Sequence, residues 1–497
     1  MAPRPFVALL LLFCAAAAAF SLAEAAGTPD GSEEWGYVQV RPKAHMFWWL
    51  YHSPQRVDNG STPWPTVLWL QGGPGASGVG YGNFMEIGPL DDELKPRATT
   101  WLAKADLLFV DNPVGTGFSY VEGGDKSLMA RTDAEAARDL VTLLCALYRD
   151  SPGLPASPLY IVAESYGGKF AVTTALKALK AIDQGRLRAN LAGVALGDSW
   201  ISPLDFVMSW GPLLYQVSRV DENGLHQCNS VASKIKDQVQ KKQFTDAEAS
   251  WSELENVVLA NSNSIDFYNF LKDDASEDAT TTTATMVSTM TQRQRSTLSS
   301  FRSRNGGYSS YLQSLAAVRE GGFDGLMNTV IKKKLGIIPK DLSYVIIVEL
   351  CHLSSFAFLR SLPLFVEMKT RWGEQSGDVF DALAGDFMKP RIQEVDQLLK
   401  LGVNVTIYNG QLDLICATKG TLDWVQKLKW DGLESFMNSP RTPIYCSKEG
   451  QSGTQAFVKS YKNLKFYWIL GAGHMVPIDN PCPALKMVAD ITRSPAK

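Results

Sequence analysis

Leu159-Tyr160-Ile161-Val162-Ala163-Glu164-Ser165-Tyr166-Gly167-Gly168 is an apolar run that breaks into small and polar residues. Phe170 to Ile182, rich in Ala, Leu and Lys, then reads as a helix. A strand that enters a helix through so tight a turn tolerates only small residues beside the serine, because the turn's backbone packs against its neighbours. Ala163 and Gly167 stand at those two places, with Ser165 between them. An ordinary strand-to-helix turn can look the same, so Ser165 needs partners before it counts as a nucleophile.

Outward from this turn, other runs of strand length follow: Met46 to Tyr51, Thr66 to Leu70, Leu107 to Val110, Leu191 to Leu196, Val403 to Tyr408 and Phe466 to Leu470. Several are apolar throughout, as parallel strands covered on both faces should be. Thr132-Asp133-Ala134-Glu135 is a capping box, and it opens a helix with Ala136, Leu140, Leu143, Leu144 and Leu147 on one face. Strands alternating with helices predict an α/β fold around a mostly parallel sheet.

Residues 203–377 break that rhythm. They hold helical segments, Val231 to Val239 and Thr245 to Leu259. They also hold a low-complexity tract, Ser276 to Ser300, dominated by Thr, Ser, Met and Gln. Such a tract buries too little apolar surface to offset its ordering entropy. The expectation is an inserted helical cap with an exposed loop at 276–300, a poorly amphipathic surface helix being the alternative. Residues 35–202 and 378–497 then form the two parts of one core.

A serine hydroxyl attacks only when a base takes its proton. The chain has five histidines. Of these, His474, in Gly471-Ala472-Gly473-His474-Met475-Val476-Pro477, follows the last strand, and open α/β sheets carry their sites beyond the carboxyl ends of strands. A third group must hold the imidazole in the right tautomer, and Asp413 follows the strand ending at Tyr408. Ser165, Asp413 and His474 occur in the chain order of α/β-hydrolases. The oxyanion needs two backbone donors, each worth about 2.7–4 kcal/mol. Tyr166, next to the nucleophile, is one; Gly73, in Leu68-Trp69-Leu70-Gln71-Gly72-Gly73-Pro74-Gly75, is the other.

That loop also contains Gly73-Pro74-Gly75-Ala76-Ser77-Gly78, a G-x-G-x-x-G pattern that suggests a dinucleotide. Pro74 lacks an N–H, no helical pattern starts cleanly at Gly78, and Asp111 lies well past the offset of about 20 residues such a site needs. An oxidoreductase is therefore the weaker reading, and neither cofactor nor metal is expected.

The chain has 497 residues, 45% hydrophobic and 20% charged, with a net charge of −3. That describes a globular protein without a field to recruit nucleic acid or an anionic membrane. Met1 to Ala26 reads as a signal peptide, with Arg4, an apolar run from Phe6 to Phe20, and cleavage after Ala25 or Ala26. An N-terminal anchor is the alternative, and no later segment looks transmembrane. Cleavage would remove Cys14 and leave Cys145, Cys228, Cys351, Cys416, Cys446 and Cys482, an even number suited to an oxidising compartment, with the pairing open. Sequons at Asn59 and Asn404 agree with a secretory route.

Taken in order, Gln71-Gly72-Gly73-Pro74-Gly75, Asp111-Asn112-Pro113-Val114-Gly115-Thr116-Gly117-Phe118-Ser119-Tyr120, Glu164-Ser165-Tyr166-Gly167-Gly168 and Gly473-His474-Met475-Val476-Pro477 resemble the serine carboxypeptidases. Leu196-Gly197-Asp198-Ser199-Trp200-Ile201-Ser202-Pro203 and Tyr408-Asn409-Gly410-Gln411-Leu412-Asp413 look closest to the retinoid-inducible branch and its plant relatives. The resemblance implies removal of C-terminal residues from peptides through an acyl-enzyme on Ser165, in an acidic vacuole or lysosome or outside the cell. It also implies that Glu164 and the residue opening the glycine loop grip the substrate's carboxylate. A carboxylate held by a carboxyl needs a shared proton, which favours acid pH. Three positions depart from the family's pattern. Gln71 replaces the usual Asn, Met85 stands where many members carry a second Glu, and Ala76 replaces a Cys often bonded to the cap. An acyltransferase on the same triad and a non-catalytic binding protein are the alternatives.

Overall fold

Six strands run parallel through the middle of one sheet in the computed structural model. In spatial order they are β5 (Asp106–Val110), β4 (Thr66–Leu70), β7 (Pro158–Glu164), β8 (Asn190–Gly197), β11 (Asn404–Gly410) and β14 (Leu464–Ile469). The structure describes residues 23–57, 63–151, 153–273, 322–339, 342–347, 363–368, 371–446 and 453–494. Antiparallel strands extend both margins. Beyond β5 lie β3 (Ala44–Tyr51), β2 (Glu33–Arg41) and β1 (Ala23–Gly27), with β6 (Tyr120–Val121) beside β3. Beyond β14 lie β13 (Thr454–Tyr461) and β12 (Thr442–Tyr445). A separate hairpin joins β9 (Leu342–Ile347) to β10 (Pro363–Met368). Each of the seven strand-length runs named from the sequence is a strand, and among the described residues the sheet has twelve.

Several central strands read as largely apolar runs because both of their faces are covered. In β4, Leu68 and Leu70 belong to one core, shared with Leu140, Leu144, Phe170 and Ala175. Val67 and Trp69 belong to the other, shared with Ala484, Met487 and Val488. This is the period-two alternation of a strand between two helical layers. On the first face lie α1 (Asp133–Asp150) and α2 (Gly167–Asp183). Thr132 caps α1 by accepting from the Glu135 amide at 3.2 Å, but the Glu135 carboxylate turns to the Arg131 amide rather than to that of Thr132.

After β8 come α3 (Pro203–Gln216), α4 (Glu222–Gln240) and α5 (Phe244–Ser262), and the last two contain both helical segments expected in residues 203–377. The 276–300 tract, Asn59, Cys351 and residues 1–22 of the expected signal peptide lie outside the described residues. β1 pairs Ala26 with Trp35 and Gly27 with Glu34, so cleavage after Ala25 or Ala26 would leave only its last residues on that edge.

One expectation is corrected at Gly78. A wide i→i+5 helix runs from Gly78 to Ile87, buried at every residue. With no solvent face it has no amphipathic stripe to read. Glycines let it nest, since a Cβ on Gly82 would come within 2.3 Å of the Trp69 ring. Even so, its N-terminus is no place for phosphate. The Asp111 carboxyl already sits there, accepting from Ser77 Oγ at 2.6 Å and the Val79 amide at 3.1 Å. Burial pushes Asp111 up to about 6.

Candidate active site

Ser165 lies where β7 turns into α2, with φ at 59°, a conformation uncommon for a residue with a side chain. Its neighbours hold it there. The Ser165 amide donates to Gly197 O at 3.0 Å, and its carbonyl accepts from Trp200 at 2.9 Å and Gly168 at 3.1 Å. A Cβ on Gly167 would come within 2.2 Å of Leu70 O, so the small residue after the serine is a steric requirement. The glycine loop presses on the turn from outside, where a Cβ on Gly72 would lie 2.5 Å from Ser165 Cβ and 2.8 Å from the Tyr166 nitrogen. Gly73 has φ of +104°, and a Cβ there would meet the Gln375 side chain at 2.8 Å.

His474 and Asp413 are brought together from two loops. His474 Nδ1 is 2.8 Å from Asp413 Oδ2, and both side chains are buried. That bond puts the proton on Nδ1 and leaves the Nε2 lone pair free. Nε2 is buried and has no hydrogen-bond partner among the described residues. No bond between it and Ser165 Oγ is formed, and such bonds are commonly long in unliganded enzymes, tightening with substrate. The His474 amide donates to Tyr268 O at 2.8 Å, and the Tyr268 ring meets the imidazole edge-on at 4.8 Å. Cys416 Sγ lies within 4.8 Å of the Asp413 and His474 donor atoms. Burial holds this thiol well above its usual pKa, and Nδ1 is already committed to Asp413.

Beside Ser165, Gln71 Nε2 donates to Glu164 Oε1 at 2.8 Å, while Gln71 Oε1 accepts from Trp69 Nε1 at 2.6 Å. The second carboxyl is present after all, one residue on from Met85. Glu86 is buried, both of its carboxyl oxygens lack a hydrogen-bond partner among the described residues, and its charge acts on Glu164. Burial, followed by the Glu86 charge, holds Glu164 well above the usual carboxylate range; burial also raises Glu86. Like charges this close cannot both ionise in a buried site, so the pair retains a proton. Glu164 Oε2, buried without a hydrogen-bond partner among the described residues, is the natural place for it.

Tyr166 is braced from below. Its hydroxyl donates to Asp133 Oδ1 at 2.7 Å, and Asp133 Oδ2 accepts from Arg391 Nε at 2.8 Å. Ser165, Glu164, Gln71, Gly73 and Tyr166 line one cavity of about 500 Å³. Its other walls include Trp200, Trp251 of α5, Tyr268 and Phe380 of α6 (Gly377–Phe387). The sequence reading did not find Trp69, Glu86, Asp198 or Tyr268. Only Glu86 had a usable signal, as an acid within one residue of the position where one was sought. Asn404, at the start of β11, is exposed. No helix among the described residues is long and apolar enough to cross a membrane.

Geometry of this kind defines a serine hydrolase on an α/β-hydrolase sheet, and comparison with known proteins narrows the class. The serine carboxypeptidase family profile matches residues 24–494. Serine carboxypeptidase-like 51 of Arabidopsis thaliana is 53% identical over 471 residues, covering 94% of this chain and 93% of that protein. Human retinoid-inducible serine carboxypeptidase is 44% identical over 468 residues, covering 94% and 92%. The crystal structure of Kex1(delta)p, a prohormone-processing carboxypeptidase from Saccharomyces cerevisiae, superposes with a TM-score of 0.67 at 21% identity, covering 94% of this chain and 93% of that one. This likeness supports the fold. The chain belongs to the serine carboxypeptidase family, as a serine-type hydrolase of peptides.

Proposed function

We propose that Ser165, His474 and Asp413 are the catalytic triad of a secreted carboxypeptidase that removes C-terminal residues from peptides. The observation that carries this reading is the 2.8 Å bond between His474 Nδ1 and Asp413 Oδ2, which leaves Nε2 buried and free to accept a proton. Ser165 Oγ attacks the carbonyl of the last peptide bond as Nε2 takes its proton, and Asp413 stabilises the imidazolium. The Gly73 and Tyr166 amides donate to the oxyanion. His474 then protonates the leaving amine, and the C-terminal amino acid departs. Water, activated by the same imidazole, hydrolyses the acyl ester on Ser165.

Glu164, protonated, and Gln71 receive the terminal carboxylate, with Glu86 sharing the proton. The glycine loop makes room for the reacting carbonyl because no Cβ fits at Gly72 or Gly73. Export through the secretory pathway, to the outside or to a vacuole or lysosome, accords with the Cys446–Cys482 disulfide. Exposed Asn404 is a proposed glycan acceptor, and the second sequon, Asn59, lies outside the described residues.

A serine-directed phosphonate should modify Ser165 of the mature protein, as read by peptide mapping. Peptides with a free C-terminus should lose one residue at a time, while amidated peptides survive. Modification at another residue, or cleavage only at internal bonds, would sink the proposal. Acyl transfer from an activated ester with peptides untouched would make the protein an acyltransferase. Undiminished function in Ser165→Ala would make it a binding protein.

A further inference from the structure

Next to Asp413 lies a second carboxyl to which the reaction above gives no task. Asp198 follows β8 and is wholly buried. Its amide donates to Tyr408 O at 2.9 Å, which ties it to the end of β11. Its Oδ1 is saturated, accepting from Asn409 Nδ2 at 2.9 Å and from the Gly410 amide at 2.8 Å. Its Oδ2 is buried with no hydrogen-bond partner among the described residues. Asn409 is itself held, donating to Cys416 O at 2.8 Å and accepting from Thr421 Oγ1 at 2.7 Å.

Asp413 needs what Asp198 can offer. Its Oδ2 receives the imidazole, but among the described residues Oδ1 receives only the Cys416 amide, at a long 3.3 Å. Asn409 Nδ2 bridges Asp198 Oδ1 and Cys416 O, and the Cys416 amide reaches Asp413 Oδ1, so the two carboxyls meet on one backbone turn. Two ionised carboxylates would repel strongly in such a site, whereas a proton between them becomes a bond. The two donors on Asp198 Oδ1 leave Oδ2 as the atom to carry it.

We propose that Asp198 is a positioning residue that stays protonated in the working enzyme and donates from Oδ2 to Asp413, fixing the carboxylate that orients His474. This rests on the triad reading above. The surroundings favour the neutral form, for burial first and the Asp413 charge second hold Asp198 well above its usual range. The titratable groups facing it are Asp413, Asp479, Glu164, Cys416 and Tyr408, with Glu86 behind Glu164. All are acidic. Loss of the Asp198 proton at higher pH would put a second negative charge beside Asp413 and remove its donor, so the imidazole would lose its hold. Asp198 thereby makes turnover fall on the alkaline side.

The test is kcat against pH, with a blocked peptide substrate, for the wild type, Asp198→Asn, Asp198→Ser and Asp413→Asn. The Asn variant keeps an oxygen for Asn409 and Gly410 and offers Asp413 an N–H that does not titrate. Wild-type kcat should fall about tenfold per pH unit on its alkaline limb. Asp198→Asn should work at acid pH and lack that limb, with KM unchanged, whereas Asp198→Ser, whose hydroxyl is too short to hold Asp413, should also lack that limb but with kcat lowered throughout. Profiles in both variants that superimpose on the wild type would overturn the proposal, as would loss of acid-side turnover in Asp198→Asn. An active Asp413→Asn would instead refute the triad reading.

Discussion

Gln71 donates to Glu164 Oε1 at 2.8 Å while Glu86, on the helix that follows the glycine loop, faces the same carboxyl. On the proposed carboxypeptidase reading, this amide and the proton of the acid pair receive the substrate's terminal carboxylate. Because burial raises both acids, the pair holds its proton at acid pH and loses it as pH rises through the raised range. The site then becomes anionic and repels the substrate. KM should therefore climb toward neutral and alkaline pH with kcat less affected. Glu164→Gln, which keeps a donor without a titrating group, should flatten that climb. Steady-state kinetics across pH on one peptide checks this, and a KM that rises equally in the variant contradicts it.

Asp413→Asn keeps the shape of the orienting group but reverses the polarity of its bond to His474 Nδ1. With the imidazole in the wrong tautomer, kcat should fall about 10⁴-fold, or roughly 5 kcal/mol of barrier. Thermal unfolding should change little. A loss below about tenfold would place the base elsewhere.

Far from the site, His52 bonds Glu34 at 3.0 Å and approaches Asp106 at 3.5 Å. The bonds to Asp106 and then Glu34 raise His52 to about 9. The raised pKa means that protonated His52 stabilises the fold fully below its ordinary value of about 6.5, an effect lost as pH rises through about 9. His52→Gln should lower the melting temperature below that window and leave it unchanged above. Equal effects at both ends would contradict the ion pairs.

Cys446 and Cys482 close a loop with a sequence separation of 36 between the β12 margin and the helix after His474. In the chain-entropy account, a crosslink of that span stabilises by about 4 kcal/mol. Cys446→Ser with Cys482→Ser, or reduction, should shift the urea midpoint accordingly. An unchanged midpoint would mean the crosslink adds nothing in solution.

Much of this site was legible in one dimension because its requirements are local. Small residues flank Ser165 because a Cβ at Gly167 would strike Leu70 O, and β4 reads as unbroken apolar because both its faces are buried. The marginal strands were harder to see. β13 has only Ala456 buried, so its apolar signal is thin. The helix from Gly78 was hidden for the opposite reason, since a helix buried all round shows no period.

From the sequence alone followed the order of strands and helices and the residues that could react: Ser165, Asp413 and His474. These depend on backbone geometry and on the chemistry each residue type can do, which neighbours along the chain reveal. Only the tertiary structure decided which groups share a proton. Glu86 and Glu164, and Asp198 beside Asp413, are far apart along the chain, and the raised Glu86, Glu164 and Asp198 owe their shifts to burial and neighbouring charge. Neither quantity exists until the chain has folded and excluded water from between them.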